Sequence, residues 1–250
     1  MISAKRFQEE IDRIILNALR EDVGDGDHSS LACIPESAVG KAKLLVKDTG
    51  VLAGVDFARQ VFAAVDPRLE MEVSLPDGTS VKTGDVAFFI SGSSRNILQA
   101  ERLVLNAMQR MSAIATKTRH YVHLLEGTGT QILDTRKTTP GIRALEKWAV
   151  LIGGGRNHRF ALYDMIMLKD NHIDFAGGVD QAIEKTKAYL KDNDLDLKII
   201  VEARDLEAPP RLLRPHHGPP PAAPRRRPHG RADRHRHRAG RARAHSRSPR

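Results

Sequence analysis

Residues 207–250 have a composition that cannot contribute to a hydrophobic core, and this confines any folded part to the first 206 of the 250 residues. The segment contains nine of the 13 prolines and six of the 11 histidines, and it has no Val, Ile, Met or aromatic residue. Such a chain buries too little apolar surface to offset the entropy lost on ordering. We therefore expect a disordered Arg/Pro-rich tail at 207–250.

The net charge of +9 comes entirely from the same segment. The tail holds 13 Arg and no Lys against Glu207 and Asp233, whereas the remaining residues hold 27 basic and 29 acidic side chains. The basic isoelectric point therefore describes the tail and not the folded part. Because Arg, Pro, Ala, Gly and His are what GC-rich codons give out of frame, we interpret the tail as a frameshift near residue 207. A natural Arg/Pro-rich extension is the alternative.

The cysteine content and the apolar runs narrow the class of protein. The single cysteine, Cys33, excludes a disulfide framework and a Cys-rich zinc site. The apolar runs at 86–90 and 165–168 are far shorter than the roughly 18 residues of a membrane span. The first 12 residues lack the apolar region of a signal peptide. We expect a cytoplasmic protein without a membrane partner.

Apolar spacing in the first 125 residues predicts a mixture of helices and strands. Helical spacing predicts helices at 7–19, 55–66 and 95–125, and Gly24 is a stop signal after the first. The acidic run EDVGDGD lacks the spacing of a calcium loop and predicts a helix end followed by an N-cap. Strand patterns occur at 42–48, 50–54, 70–81 and 86–91.

The pattern changes to alternating strands and helices after residue 130. Strands are predicted at 130–134, 165–170 and 198–203, with helices near 141–151 and 178–191 between them. Short apolar strands separated by helices are typical of βαβ units and a parallel sheet. In such sheets the chemistry lies at the carboxyl ends of the strands, where this sequence places DTRKTTPG, KDNH and EARD.

Basic side chains are concentrated around the first two of these strands. DTRKTTPGIR (134–143) follows the first strand, GGGRNHRF (153–160) precedes the second, and Lys169 ends the second. Arginine forks match pairs of carboxylate or phosphate oxygens, lysine supplies a point charge, and glycine lets backbone N–H groups approach an anion. The arrangement predicts an electropositive pocket for a substrate with several negative charges.

Each of these features also has a simpler interpretation. The glycines at 153–155 can form an ordinary turn, and Asp134 with Arg136 can form a solvated ion pair worth at most about 1 kcal/mol. His158 can be a loop histidine without a ligand. Lys169 can form a surface ion pair or act as a Schiff-base lysine. The histidines do not have the spacing of a zinc site. Because each feature has a simpler interpretation, the order of the motifs carries more information than any one of them.

In this order and spacing, the motifs resemble the quinolinate phosphoribosyltransferases (carboxylating nicotinate-nucleotide pyrophosphorylases). The resemblance runs from about residue 15 to 206. The segments that carry it are EDVGDGD, GVLAG, AERLVLNAMQRMSAIAT, DTRKTTPG-R, GGGRNHR, LKDNHI and VEA. One departure is Ala113, where the family usually has glycine. A β-carbon at that position bears on helix packing and not on the chemistry.

The family resemblance implies an α/β fold in two domains. Residues 1–110 are expected to form an α+β N-terminal sandwich-like domain with a long connecting helix. Residues 111–206 are expected to form the first half of a parallel α/β barrel that carries the anion site, followed by the tail at 207–250. The barrel is therefore expected to be incomplete in this chain.

The resemblance also implies a reaction in NAD biosynthesis. Such enzymes transfer the phosphoribosyl group of phosphoribosyl pyrophosphate to quinolinate, with Mg²⁺, and give nicotinate mononucleotide, pyrophosphate and CO₂. A dicarboxylate and a polyphosphate sugar must meet in one cleft, so cations must outnumber acids there. The pyridine nitrogen attacks the anomeric carbon through an oxocarbenium-like transition state, while magnesium and fixed cations stabilise the leaving charge.

Matching the motifs implies eight substrate-binding residues, namely Arg102, Thr135, Arg136, Lys137, His158, Arg159, Lys169 and Glu202. Arg136, His158 and Arg159 are implied to hold the carboxylates of quinolinate, with Lys169 nearby. Thr135, in the same motif as Arg136, belongs to the substrate-binding residues as well.

Two catalytic residues and one residue of a partner subunit complete the implied site. Lys137 serves the pyrophosphate or the reacting centre, and Glu202 contacts the ribose hydroxyls or magnesium. Arg102, on the long helix, reaches the site of the second subunit in the family's homodimer. Without the resemblance, Arg102 is an arginine on a solvated helix face. No set of protein metal ligands is expected.

The resemblance ends before the loops that bind the 5′-phosphate. After Glu202 the family continues with a strand that ends in an acid, a Ser-Gly-Gly loop and a last glycine loop, and 207–250 contains none of these. We expect this chain as written to be inactive or nearly so, with exposed strand edges that favour aggregation. Two alternatives remain: a non-catalytic protein whose tail binds nucleic acid non-specifically, and a related phosphoribosyltransferase with another anionic acceptor.

Overall fold

The computed structural model describes residues 2–203. The predicted tail at 207–250 lies outside the described residues. The elements in chain order are α1 (Ala4–Val23), α2 (His28–Cys33), β1 (Val39–Leu45), β2 (Gly50–Val51), α3 (Val55–Val65), β3 (Glu70–Val73), β4 (Ser80–Val81), β5 (Val86–Ser93), α4 (Ser94–Leu124), α5 (Arg143–Ile152), β6 (Ile166–Leu168), α6 (Asp170–Ala176), α7 (Val179–Asp192) and β7 (Ile199–Val201).

Helix α1 ends where its sequence predicts, and it begins at a serine cap that was not predicted. The Ser3 hydroxyl accepts a hydrogen bond from the Arg6 amide at 3.2 Å, and the helix stops before Gly24, whose φ is 55°. Asp27 then caps α2 by accepting the Ser30 amide at 3.1 Å, so the predicted N-cap in the acidic run is confirmed. The apolar face of α1 buries Ile11, Ile14 and Ile15.

The strands of the N-terminal half form antiparallel sheets. β5 lies between β1 and β3 in one sheet, and β2 pairs with β4 in another. Helix α3 covers the larger sheet, because Phe62 of α3 and Phe88 of β5 meet edge to face with ring centroids 6.0 Å apart. The predicted helix at 55–66 and the strands predicted at 42–48 and 86–91 are confirmed. The segment predicted at 70–81 forms two short strands, β3 and β4, and the strand within 50–54 is confined to Gly50–Val51.

The 31-residue helix α4 packs against both the sheets and the second half of the chain. The Ser112 hydroxyl accepts the Ala53 amide at 3.0 Å, and the Thr116 hydroxyl accepts the Val51 amide at 2.8 Å. Two side chains of α4 therefore satisfy buried backbone groups beside β2. Ala113 is exposed on α4, so its β-carbon does not disturb packing among the described residues.

Parallel pairing is present between two of the three strands predicted in the second half. β6 pairs with β7, with Ile166 opposite Ile199. The predicted strand at 130–134 is wrong, because this segment forms only an isolated bridge between Leu133 and Arg156. Leu133 is 54% exposed, so the segment lacks the apolar burial that stabilises a strand.

The helices predicted near 141–151 and 178–191 are confirmed as α5 and α7, but α6 was not predicted. We expected KDNH to end a strand, whereas Asp170 opens α6. The Lys169 amide donates to Nδ1 of His172 at 2.9 Å, and Gly177 with φ 95° ends the helix. The polar residues at the helix start and the glycine after it are the signals that sequence reasoning missed.

Two apolar clusters hold these elements together. The larger contains buried residues of α1, α3, α4, α5 and β5, and the smaller joins β6 to α7 through Leu168, Ala182 and Ile183. The predicted domain boundary near residue 110 falls inside α4 and stays a prediction. Within 2–203, no helix has both the length and the apolar character needed to cross a membrane.

Candidate active site

One carboxylate, that of Asp134, joins two of the predicted site segments. It accepts the His158 amide at 2.9 Å and forms an ion pair with Nζ of Lys147. With its carboxamide nitrogen turned toward Asp134, Asn157 donates to Oδ2 at 2.6 Å and to the Lys147 carbonyl at 3.0 Å. We call Asp134, Lys147, Asn157 and the His158 amide the Asp134 cluster. It holds the loop that follows residue 134 against the loop at 156–159.

A second buried acid, Glu146 of α5, fixes the turn that follows Arg136. Its carboxylate accepts the Thr139 amide at 3.0 Å, the Thr139 hydroxyl at 2.8 Å and Nε of Arg110 at 2.8 Å. Burial alone would raise the pKa of Glu146, but the hydrogen bonds from Thr139 and Arg110 outweigh it and lower the pKa. Glu146 therefore stays ionised and rigidly placed beneath the basic loop.

The basic side chains of the two loops differ in exposure. Arg159 is 7% exposed, Arg136 and His158 are partly buried, and Thr135 and Lys137 are exposed. Nε of Arg136 is buried and has no hydrogen-bond partner among residues 2–203. Because a buried donor without a partner is costly, this atom is a candidate to bind an anion.

Lys169 and Glu202 lie together at the carboxyl ends of β6 and β7. Lys169 Nζ is 3.8 Å from a Glu202 carboxylate oxygen, with side chains 47% and 54% exposed. The Glu202 amide donates to the Leu168 carbonyl at 2.8 Å, which extends the parallel pairing to this point. An exposed ion pair of this kind is worth at most about 1 kcal/mol, so both groups remain available to a charged ligand.

Arg102 is exposed on α4, about 12 Å along the helix axis from Arg110. Within the described part of the chain, no ion pair or hydrogen bond joins its side chain to the other predicted site residues. The structure of this single chain therefore brings Arg136, His158 and Arg159 onto two joined loops, and it pairs Lys169 with Glu202. It does not bring Arg102 to either group.

Two of the three glycines at 153–155, Gly153 and Gly155, have a packing role. A β-carbon on Gly153 would lie 2.6 Å from the Ala115 carbonyl oxygen and from Cβ of Thr118, and one on Gly155 would lie 2.9 Å from Cγ2 of Thr118. Nε of Arg119 donates to the Gly153 carbonyl at 3.0 Å. The turn therefore needs glycine because it lies against α4, which supports the simpler interpretation of this run.

Sequence reasoning missed the residues that build the site from below, namely Arg110, Glu146, Lys147 and Asn157. Glu146 and Lys147 are adjacent charges inside an apolar helix, between the buried Leu145 and Ala149. A charged residue with core residues on both sides of it in a helix indicates burial, and this signal was available for Glu146 and Lys147. The charged residues that pair with Glu146 and Lys147 lie in other segments of the chain, so the sequence does not show which charges pair.

Comparison with known proteins places both halves of the chain in one family. Residues 27–112 match the N-terminal domain, and residues 114–214 match the C-terminal domain, of quinolinate phosphoribosyl transferase. A tobacco relative, quinolinate phosphoribosyltransferase [decarboxylating] 1b, is 47% identical over 194 residues, which are 77% of this chain and 55% of the relative. A probable nicotinate-nucleotide pyrophosphorylase [carboxylating] of Synechocystis is 39% identical over 197 residues, 79% of this chain and 65% of that relative.

Solved structures agree with these matches. NadC from Streptococcus pyogenes is 40% identical, with a TM-score of 0.74 over 83% of this chain and 72% of that one. Nicotinate-nucleotide pyrophosphorylase from Francisella tularensis is 35% identical, with a TM-score of 0.70 over 80% and 69%. The chain spans a little over half the length of the plant relatives that it matches. The expected α/β fold class is confirmed, and the chain belongs to the quinolinate phosphoribosyltransferase family.

Proposed function

We propose that this chain carries the quinolinate-binding part of a phosphoribosyltransferase of NAD biosynthesis. The observation that supports this most directly is the pair of loops joined by Asp134, which present Arg136, His158 and Arg159 with one buried guanidinium N–H free of any partner within 2–203. A planar pyridine dicarboxylate fits such a group, because arginine binds carboxylate oxygens in pairs. The membership of the family gives the ligand its identity.

The reaction proposed for the site is a displacement followed by decarboxylation. The lone pair of the pyridine nitrogen forms a bond to the anomeric carbon, and the carbon–oxygen bond to pyrophosphate breaks with its electron pair leaving on pyrophosphate. The quaternary ring nitrogen then assists loss of the adjacent carboxylate as CO₂, and the ring carbon takes a proton from solvent. Lys137 and Lys169 supply positive charge where the transition state gains negative charge, and Glu202 orients the ribose hydroxyls.

We propose Mg²⁺ as the cofactor, carried into the site with phosphoribosyl pyrophosphate. The half-exposed Glu202 carboxylate offers the oxygen ligand that magnesium prefers, and it leaves room for the waters that magnesium retains. Among residues 2–203, no group of three His, Cys, Asp or Glu side chains is placed to hold a metal, so phosphate oxygens would supply most other ligands. Bound there, the ion would neutralise charge on the leaving pyrophosphate.

We further propose a cytoplasmic homodimer in which Arg102 completes the site of the second subunit. Its exposure on α4, away from the Asp134 cluster and from Glu202, supports a role toward another chain. An arginine supplied across a subunit interface would add positive charge to a cleft that must hold two polyanions.

The experiment that tests the proposed function is quinolinate binding to the purified chain by titration calorimetry. Arg136→Ala is expected to weaken binding by about 3 kcal/mol, or roughly 100-fold, because it removes one partner of a desolvated charge pair. Arg59→Ala, which removes an exposed arginine on α3 paired with Asp56, is the matched control and should bind as the unmodified chain does.

Two results would contradict the proposal. Equal quinolinate affinity in Arg136→Ala and the unmodified chain would remove Arg136 from the site. Binding of duplex DNA that is lost on deletion of 207–250, in a chain without affinity for quinolinate, would favour the nucleic-acid alternative.

A further inference from the structure

We infer that Lys147 is a positioning residue, whose buried ammonium group fixes Asp134 and through it the two loops that present Arg136 and Arg159. The inference rests on the proposed function, because it concerns the same site. It goes beyond the residues proposed to contact substrate, since neither Lys147 nor Asp134 is among them. Its basis is one carboxylate with three donors from two segments of the chain, helix α5 and the loop at 156–159.

Lys147 and Asp134 are both buried, so each charge depends on the other. The Lys147 side chain is fully buried, and that of Asp134 is 7% exposed. A charged lysine persists in a protein interior only with a compensating partner, and within residues 2–203 the ion pair of Lys147 is with Asp134. The ammonium group is held in place because α5 is anchored in the core by Ala144, Leu145 and Ala149.

Asp134 makes its other hydrogen bonds with the loop at 156–159. Its carboxylate accepts the His158 amide at 2.9 Å and the Asn157 carboxamide at 2.6 Å, and its own amide donates to the Arg156 carbonyl at 3.1 Å. Asp134 precedes Arg136 by two residues. The two loop groups that donate to its carboxylate belong to Asn157 and His158, which precede Arg159 in the chain. The separation of the two arginines therefore depends on the placement of one carboxylate.

The positive charge of Lys147 offsets the negative charge of Asp134 beneath the loops. Lys147 neutralises Asp134, so the cluster adds no net negative charge beneath a site that must attract a dianion. Without the ammonium group, an unpaired carboxylate in a medium of low dielectric constant would repel the carboxylates of the ligand. This repulsion should be larger for quinolinate, with two carboxylates, than for nicotinate, with one. A loss of packing alone would not discriminate between the two ligands.

The experiment measures quinolinate and nicotinate affinity in Lys147→Met, in Asp134→Asn and in the double variant. We expect Lys147→Met to weaken quinolinate binding more than 10-fold, with a smaller effect on nicotinate. The double variant, which has no buried charge and keeps a carbonyl acceptor at residue 134, should recover affinity to within about 3-fold of the unmodified chain. Lys185→Met is the control, because Lys185 donates from an exposed side chain to the Ala176 carbonyl and does not belong to the Asp134 cluster.

Hydrogen exchange at the His158 amide gives a readout that needs no ligand. This exchange should be at least 10-fold faster in Lys147→Met than in the unmodified chain, unchanged in Lys185→Met, and slow again in the double variant. If the unmodified chain does not bind quinolinate, the proposed function fails while the exchange result still tests the positioning role. If Lys147→Met does not fold, Asp134→Asn alone carries the test, with faster His158 exchange expected.

The inference is overturned by unchanged His158 exchange in the folded single variants. It is also overturned by a double variant that binds quinolinate as weakly as Lys147→Met, since loss of packing would then explain the defect. Equal weakening of quinolinate and nicotinate binding in Lys147→Met would have the same consequence.

Discussion

Arg110 on the long helix α4 and Glu146 on α5 form an ion pair with Nε 2.8 Å from Oε1, and the Thr139 amide lies 3.0 Å from the other carboxylate oxygen. Arg110 belongs to the segment that matches the family's N-terminal domain, and Glu146 belongs to the segment that matches the C-terminal domain. The ion pair therefore connects the two family segments immediately beneath the loop that carries Arg136. It couples the stability of that loop to the packing of α4 on α5.

Removing the guanidinium group at this junction should destabilise the chain. In Arg110→Met the buried Glu146 carboxylate loses its charged donor, and we expect unfolding free energy to fall by about 1–3 kcal/mol. Urea denaturation followed by circular dichroism measures the change. The matched control is Arg59→Met, whose pair with Asp56 is half-exposed and worth at most about 0.5 kcal/mol. Equal midpoints in the two variants would contradict the role given to Arg110.

Stability should fall in acid because of the same carboxylate. The pKa of Glu146 is lower in the folded chain than its usual value of 4.5, so the unfolded chain binds the proton first as pH falls. The stabilisation is complete above about pH 4.5 and is lost as pH drops through the lower, folded-state pKa. Asp66 acts in the same direction, because hydrogen bonds from Arg68 lower its pKa. Burial raises the pKa of Asp77, which partly offsets both.

Urea midpoints between pH 7 and pH 3 test this linkage in the unmodified chain and in Glu146→Gln. The variant should be less stable at pH 7 and should lose less stability on acidification, because it has no proton to take up at this position. A decline of equal steepness in both proteins would show that Glu146 does not contribute to the acid sensitivity.

The glycine turn before Arg156 should tolerate no side chain at its first position. Gly153→Ala places a β-carbon 2.6 Å from the Ala115 carbonyl oxygen, and we expect a loss of about 1–3 kcal/mol from overpacking. Gly127→Ala is the control, since Gly127 has φ +77° and nothing within 4 Å of an added β-carbon, so only backbone strain of about 1 kcal/mol applies. In thermal unfolding, the melting temperature of Gly153→Ala should be lower than that of Gly127→Ala. The opposite order would refute the packing argument.

The purified 250-residue polypeptide should form little or no nicotinate mononucleotide from quinolinate and phosphoribosyl pyrophosphate. Residues 207–250 contain no Ser-Gly-Gly loop, and late-strand loops of this kind hold the phosphate in barrel enzymes. Quinolinate binding in the same preparation is the control that shows a competent anion site. Turnover comparable to that of the tobacco quinolinate phosphoribosyltransferase [decarboxylating] 1b, assayed in parallel, would contradict this expectation.

Much of the fold could be predicted from sequence, because its signals are local. The isoleucines of α1, the cap at Asp27 and the apolar run of β5 each involve residues a few positions apart. The strand predicted at 130–134 was wrong for the opposite reason. TQILD has a strand's composition, but among residues 2–203 it bridges only to Arg156, and the sequence does not show which segments will lie beside an extended one.

The amino-acid sequence was enough to identify the family, the loops that carry the basic residues and the position of Lys169 and Glu202 at strand ends. Only the tertiary structure showed which charges lie inside. Lys147, Glu146 and Arg110 are ordinary charged residues of helices in the sequence, and their partners lie 13 to 36 residues away. Burial and ion pairing depend on how helices pack, and packing brings together side chains whose spacing along the chain carries no periodic signal.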